Sequence, residues 1–154
     1  MNGRKRVHTP LEVLEKNLQE LSEIARQTMN VLATPGRHSV SERYRITIAK
    51  VGEVERRWVR HIRLLREAEG LDRTVDKDEV LESQLASIVR APWPRSPLAA
   101  MPSLRHRVVS VLTELLRQVE RERRITLPRV RQKLAEDERQ SSELNVVSSE
   151  LTRH

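Results

Sequence analysis

The segment from Ser39 to Glu69 constrains the fold most, because it has the pattern of one long helix with two unlike faces. Its apolar side chains recur at steps of three and four, which places the following on one side of a helix: Tyr44, Ile48, Val51, Trp58, Ile62 and Leu65. At about 100° per residue, Arg56, Arg60 and Arg63 fall on the opposite side, with Arg57 beside them. One face therefore needs a helical partner, and the other is suited to anions.

The preceding segment provides that partner. Thr9, Pro10 and Glu12 have the arrangement of a helix start, with a capping hydroxyl, a proline in the first turn and a glutamate that reaches back. A seam with the same three-four spacing follows, made of Leu11, Leu14, Leu18, Leu21, Ala25, Thr28 and Leu32. Pro35 and Gly36 end this helix, and Ser39 with Glu42 forms a second capping box.

The short link between the two helices predicts an antiparallel, coiled-coil-like hairpin folded about residue 36. The side chains expected to form its packing or oligomer seam are Leu14, Leu18, Leu21, Val51, Trp58, Ile62 and Leu65. The same register sets Asn17 beside Glu55. Two interpretations stay open, a buried polar layer that fixes the register or a glutamate at the solvent edge, and the pattern favours the second.

Further helices are expected after the hairpin. A third begins at Asp76 and Glu79 and ends near Arg90, with Leu81, Leu85 and Ile88 on its inner side. Four prolines then break the chain. Trp93 lies between two of these prolines and is expected to dock on the bundle. Ser103 is expected to cap the next helix. That helix has an apolar stripe of Leu104, Val108, Leu112, Leu115 and Val119.

Near the C-terminus, Pro128 predicts a kink or break at residues 125–127, because proline lacks the donor that a helix interior needs. From Ser141 the chain is polar and serine-rich, and we expect it to be frayed or extended. The predicted organisation is a basic tail over 1–8, a hairpin with a third short helix over 9–90, a proline-rich linker over 91–103, C-terminal helices over 104–140, and a polar tail over 141–154. The fold class is all-α, a helical hairpin with further helices in a small bundle.

Composition limits the kind of protein. The chain has 154 residues, a formal charge of +7 and no Phe. It also has no Cys, which excludes disulfides, thiolate metal sites and thiol catalysis. Its three aromatic residues offer few stacking platforms, which disfavours a reader of single-stranded bases. No apolar run approaches the roughly 20 residues of a membrane span, and no secretory signal begins the chain. We expect a cytoplasmic protein without a membrane partner.

The sequence contains none of the local motifs that would indicate a catalytic or metal site. No two of the five histidines lie three or four residues apart, there is no glycine-rich phosphate loop, and no serine has the setting of a nucleophile. His61 has the position of an ordinary surface residue beside the arginines. We therefore expect a non-enzymatic protein with no metal, no cofactor and no small-molecule substrate.

The basic side chains are the positive signal for function. Those expected to contact nucleic acid are Arg4, Lys5, Arg6, Arg56, Arg57, Arg60, Arg63, Arg117, Arg121, Arg124, Arg129 and Arg131. Such contacts neutralise phosphates and bind without sequence preference. The competing interpretation is a set of solvated helix faces, because glutamates interrupt both clusters. The leading hypothesis is a self-associating helical adaptor, a homo-oligomer that binds nucleic acid. The alternative is a scaffold module that binds an acidic protein partner without nucleic acid.

A small basic chain with a long helical hairpin and a polar tail resembles the small terminase subunits of tailed phages in architecture and charge. This resemblance implies a DNA-packaging adaptor as one case of the leading hypothesis. It rests on shape and charge alone, and no motif or residue role is carried over from that family.

Overall fold

The computed structural model describes residues 10–34, 36, 38–69 and 76–151. The elements, in chain order, are α1 (Pro10–Ala33), α2 (Val40–Glu69), α3 (Asp76–Val89), α4 (Pro97–Arg121), a π-helical turn (Glu122–Thr126) and α5 (Leu127–Leu151). No residue within the described ranges lies in a β-strand. The helices pack into a small bundle, so the predicted all-α fold is confirmed.

Helices α1 and α2 form the expected hairpin. Their apolar stripes are buried against each other and against the rest of the bundle. The start of α2 is capped as predicted, since the backbone N–H of Glu42 donates to Ser39 Oγ at 3.2 Å. At the loop end, Arg43 Nη2 donates to the carbonyl of Leu32 at 3.0 Å. The proposed cap Thr9 lies outside the described residues.

One polar contact of this hairpin differs from its prediction. Asn17 does not pair with Glu55, because its Nδ2 donates to the carbonyl of Arg57 at 3.2 Å. Glu55 instead accepts from Arg90 Nη2 at 2.8 Å. The carbonyl of Arg57, which accepts from Asn17, lies two residues after Glu55 on α2. The side of α2 that carries Glu55 faces α3. Apolar spacing defines the inward face of each helix but does not specify which polar side chains meet at the edge of that face.

Helix α3 agrees with its prediction, and its inward residues Leu81, Leu85 and Ile88 are buried. Helix α4 begins earlier than expected, at Pro97 rather than at Ser103. Ser96 caps it, with Ala99 N–H donating to Ser96 Oγ at 3.2 Å. The physical reason is that Pro97 occupies the first helical turn, where a missing N–H costs nothing, whereas Pro102 lies inside the helix.

The predicted break near Pro128 takes the form of a π-helical turn within a continuous helix. Leu127 N–H donates to the carbonyl of Glu122, five residues back, so the turn holds one more residue than an α-helical turn. The expectation that the chain is frayed from Ser141 was wrong, because α5 continues as a helix to Leu151. Residues 152–154 lie outside the described part.

The segment after Pro102 packs onto its own hairpin. The predicted stripe of α4 is buried along its whole length, and Leu127 and Val130 of α5 are buried as well. Trp58 Nε1 donates to the carbonyl of Asp78 at 3.2 Å, which joins α2 to the start of α3. At the opposite end, the rings of Tyr44 and Trp93 meet edge to face at 4.9 Å, so Trp93 docks on the bundle as expected.

Candidate nucleic-acid interface

An arginine row runs along the outward face of α2. We define it as Arg45, Arg56, Arg60 and Arg63, which share one face at 100° per residue and are all exposed. With a rise of about 1.5 Å per residue, the row is about 27 Å long. Arg45 was missed by the sequence analysis, although its position eleven residues before Arg56 is three full turns away and places it on the same line.

The arginine row has no acidic partner within the described part of the chain. Within the described ranges, none of its four guanidinium groups forms an ion pair. Arg57, the adjacent residue, differs because it turns toward α1 and pairs with Glu20. Only about a third of its side chain is exposed. The structure therefore separates Arg57, which joins two helices, from the row, which faces outward.

Carboxylates lie on both sides of the arginine row. Arg60 borders a small recess that also contains Glu12 and Glu20 of α1. Arg63 borders a second recess, on the α3 side, that contains Glu67 and Glu82. The positive strip is therefore narrow, about one helix wide, and its length greatly exceeds its width.

The C-terminal cluster is more dispersed. Arg117 pairs with Glu114 at 3.5 Å, and Arg124 lies 4.0 Å from Glu120, both on exposed helix surface. Arg131 reaches across to Glu15 of α1 at 3.3 Å. These contacts are worth little individually but they reduce the net field of the cluster. Of the five predicted contact residues here, the two that are exposed and unpaired in the described structure are Arg121 and Arg129. The basic residues Arg4, Lys5 and Arg6 lie outside the described part.

The predicted seam lies inside a single chain. All seven of its side chains are buried within the monomer: Leu14, Leu18, Leu21, Val51, Trp58, Ile62 and Leu65. Leu65, near the end of α2, is fully buried although α2 extends beyond its hairpin partner, because α3 and α5 also pack on α2. A second copy could use this seam only if the bundle opened.

His61 is not the surface residue that its neighbouring arginines suggested. Its side chain is fully buried, and its Nε2 is hydrogen-bonded to Oε2 of Glu122, which is fully buried too. Its ring lies 5.7 Å from that of Trp58. Within the described chain, Nδ1 of His61 has no hydrogen-bond partner. This pair joins α2 to the π-helical turn and fixes the end of the bundle that carries Arg60 and Arg63.

In the ranges that the structure describes, no group of three His, Asp or Glu side chains could hold a metal ion. None of the described helices combines the length and apolar character that a membrane crossing requires. The chain matches no known protein family, no curated protein and no solved structure. The function proposed for this chain is therefore based on the geometry of its surface.

Proposed function

We propose that this chain is a non-enzymatic helical protein that binds nucleic acid by laying the arginine row along a phosphate backbone. The observation that carries this proposal is the unpaired, exposed line of Arg45, Arg56, Arg60 and Arg63 on one face of a rigid helix. Arginine suits this role because its planar fork matches phosphate oxygens and its charge is permanent.

The dimensions of the row support a duplex as the ligand. A length of about 27 Å corresponds to about eight base pairs at 3.4 Å each. Arg56, Arg60 and Arg63 follow one another at roughly 6 and 4.5 Å along the helix axis, so neighbouring phosphates can be contacted in sequence. The flanking carboxylates confine contact to this strip, since a broader approach would bring phosphates against Glu12 or Glu82.

Binding should be insensitive to base sequence. The row offers guanidinium groups on a helix that is packed on both sides by α1 and α3, so base edges in a groove are not its natural target. Phosphate contacts position a protein on a duplex without reading its sequence. We therefore expect affinities for unrelated duplexes to be similar and to fall steeply with salt.

The experiment measures duplex DNA affinity by fluorescence anisotropy across a salt series. Replacing all four row arginines by glutamine should reduce the slope of log K against log salt by about three to four, roughly 0.9 for each lost phosphate contact. The matched control replaces Arg117, Arg121, Arg124 and Arg129 by glutamine, which changes the net charge equally. Because two of these already have glutamate partners, the slope should fall by about two or less.

Two results would contradict the proposal. One is a wild-type protein that does not bind duplex DNA or RNA at low salt. The other is a row variant whose salt slope equals that of the wild type or of the control, which would reduce the effect to net charge. Binding of an acidic protein by the row, without nucleic acid, would then become the better explanation.

A further inference from the structure

An open apolar groove lies between the start of α2 and the first turns of α4. Its volume is about 650 Å³, and its apolar wall includes Val40, Leu98, Met101 and Val109. Leu98 is 70% exposed, which is unusual for a leucine on a packed helix. Basic side chains also line the groove, namely Arg43, Arg105 and His106. The contact between Arg43 and the Leu32 carbonyl holds that guanidinium against the groove. Such a groove suits an apolar group that is accompanied by carboxylates.

A segment of the same chain has this complementary chemistry. We call residues 135–144 the arm, because every one of them is exposed while Val130, earlier on α5, is fully buried. The arm has four acidic residues and one arginine, whereas residues 97–133 have nine basic residues and three acidic ones. Leu144 of the arm is 70% exposed. On a helix it shares a face with Asp137, seven residues and about 10 Å earlier.

The groove and the arm lie at opposite ends of the molecule. Arg43 at the groove is bonded to Leu32, near the end of α1, whereas Arg131 of α5 is paired with Glu15, near its beginning. Leu32 and Glu15 are about 25 Å apart along α1. The arm then leads on from Arg131 as continuous helix, so it cannot reach the groove of its own chain. A second copy can supply it.

We propose that the arm of one molecule docks in the groove of another, so that copies associate head to tail. Leu144 enters the apolar wall beside Leu98 and Val109, and the carboxylates of Asp137 and Glu138 face Arg105 and Arg43. The two surfaces are different, so the contact is heterologous and each molecule keeps one groove and one arm for further neighbours. The assembly is therefore a ring or an open chain, and not an isologous dimer.

The test is sedimentation velocity on nuclease-treated full-length protein over a concentration series. The groove variant Leu98→Glu/Val109→Glu and the arm variant Leu144→Lys change exposed positions, so each should keep the fold. Each alone should weaken association at least tenfold, as loss of an interface anchor does. Mixed in equal amounts, they should form a one-to-one dimer, because one partner still has an intact arm and the other an intact groove.

Controls separate this proposal from its alternatives. Ile125→Lys changes an exposed apolar residue outside both surfaces and should associate like the wild type. The arginine-row variant should also self-associate normally, so failure of nucleic-acid binding and failure of assembly are distinguishable. A wild-type protein that stays monomeric at every concentration, or a mixture of the two variants that stays monomeric, would overturn the proposal. So would a wild-type dimer that neither variant weakens.

Discussion

At the scale of single residues, we expect substitutions of a few buried polar side chains to change the free energy of unfolding most. His61 and Glu122 are both fully buried and are bonded to each other across two helices. Removing two such groups from water is costly, and their mutual contact offsets much of that cost only while both are present. The pair is therefore a strong constraint on the position of the π-helical turn relative to α2, even though it adds little net stability.

We predict that breaking this pair from one side is severe. His61→Ala or Glu122→Ala should each lower the free energy of unfolding by about 3–5 kcal/mol, because either substitution breaks a hydrogen bond between two fully buried polar groups. The double variant His61→Leu/Glu122→Leu should recover most of this loss. Urea unfolding followed by circular dichroism measures all three.

The matched control for this prediction is Glu120→Gln, two residues away on exposed surface, which should change stability by less than about 0.5 kcal/mol. If the double variant were as unstable as the single ones, the pair would have to stabilise the fold beyond what apolar packing can replace.

Asn17 is another buried polar side chain, and only part of its hydrogen-bonding capacity is used. Its Nδ2 donates to the Arg57 carbonyl, but its Oδ1 is buried and has no partner among the described residues. A half-satisfied amide in a helical interface costs stability while it restricts the register. Asn17, which was proposed to pair with Glu55, is thus buried in the hairpin, but it bonds to the backbone of α2 and not to the side chain of Glu55.

At the scale of elements, the π-helical turn explains how the chain tolerates Pro128. The inward-facing residues proceed at steps of three and four through Val119 to Glu122, and then step by five to Leu127. The additional residue lets Leu127 and Val130 face the core after the turn. In a widened turn one carbonyl already lacks its usual partner, so the missing N–H of proline is tolerated there.

We predict a small effect for Pro128→Ala. Stability should change by less than about 1 kcal/mol, because the widened turn is set by the apolar register and not by the proline. In contrast, Gln132→Pro, at an exposed position in regular α5, should cost about 3 kcal/mol or more. Urea unfolding of both variants provides the measurement. A stabilisation of Pro128→Ala by about 3 kcal/mol would show that the proline itself distorts the helix.

At the scale of the whole molecule, α4 completes the core that the hairpin begins. Helix α4 contacts α1, α2 and α3, and its inward stripe includes Leu112 and Leu115, which are fully buried. A hairpin of two helices would leave one side of each apolar face in water. The fourth helix covers that side, so we expect the hairpin and α4 to unfold as one cooperative unit.

We predict that Leu112→Ala destabilises the hairpin and α4 together. The loss should be about 2–5 kcal/mol, because a cavity forms in the shared core. In a Trp93→Phe background, fluorescence reports on Trp58 in the hairpin, and circular dichroism reports on all helices. The two unfolding curves should coincide and shift equally. Separate transitions, with Trp58 unaffected by the substitution, would mean that the hairpin is stable without α4.

Much of this fold follows from local spacing in the sequence. The steps of three and four predict α1, α2, α3 and the stripe of α4, and they select the correct buried side of each helix, because periodicity acts within one element. The same signal could have revealed His61, which lies three residues after Trp58 and four before Leu65 on the buried face. Its polarity and its arginine neighbours suggested the surface instead.

The tertiary structure alone decided what each face meets. Sequence spacing does not specify which helix approaches which side of α2, and so it could not show that Arg57 pairs with Glu20 while the arginine row stays unpaired. It likewise could not show that the predicted seam closes within one chain, or that the groove and the arm lie at opposite ends. Periodicity defines a direction around one helix axis, whereas contacts between helices depend on axial shifts and crossing geometry that arise only when all side chains pack together.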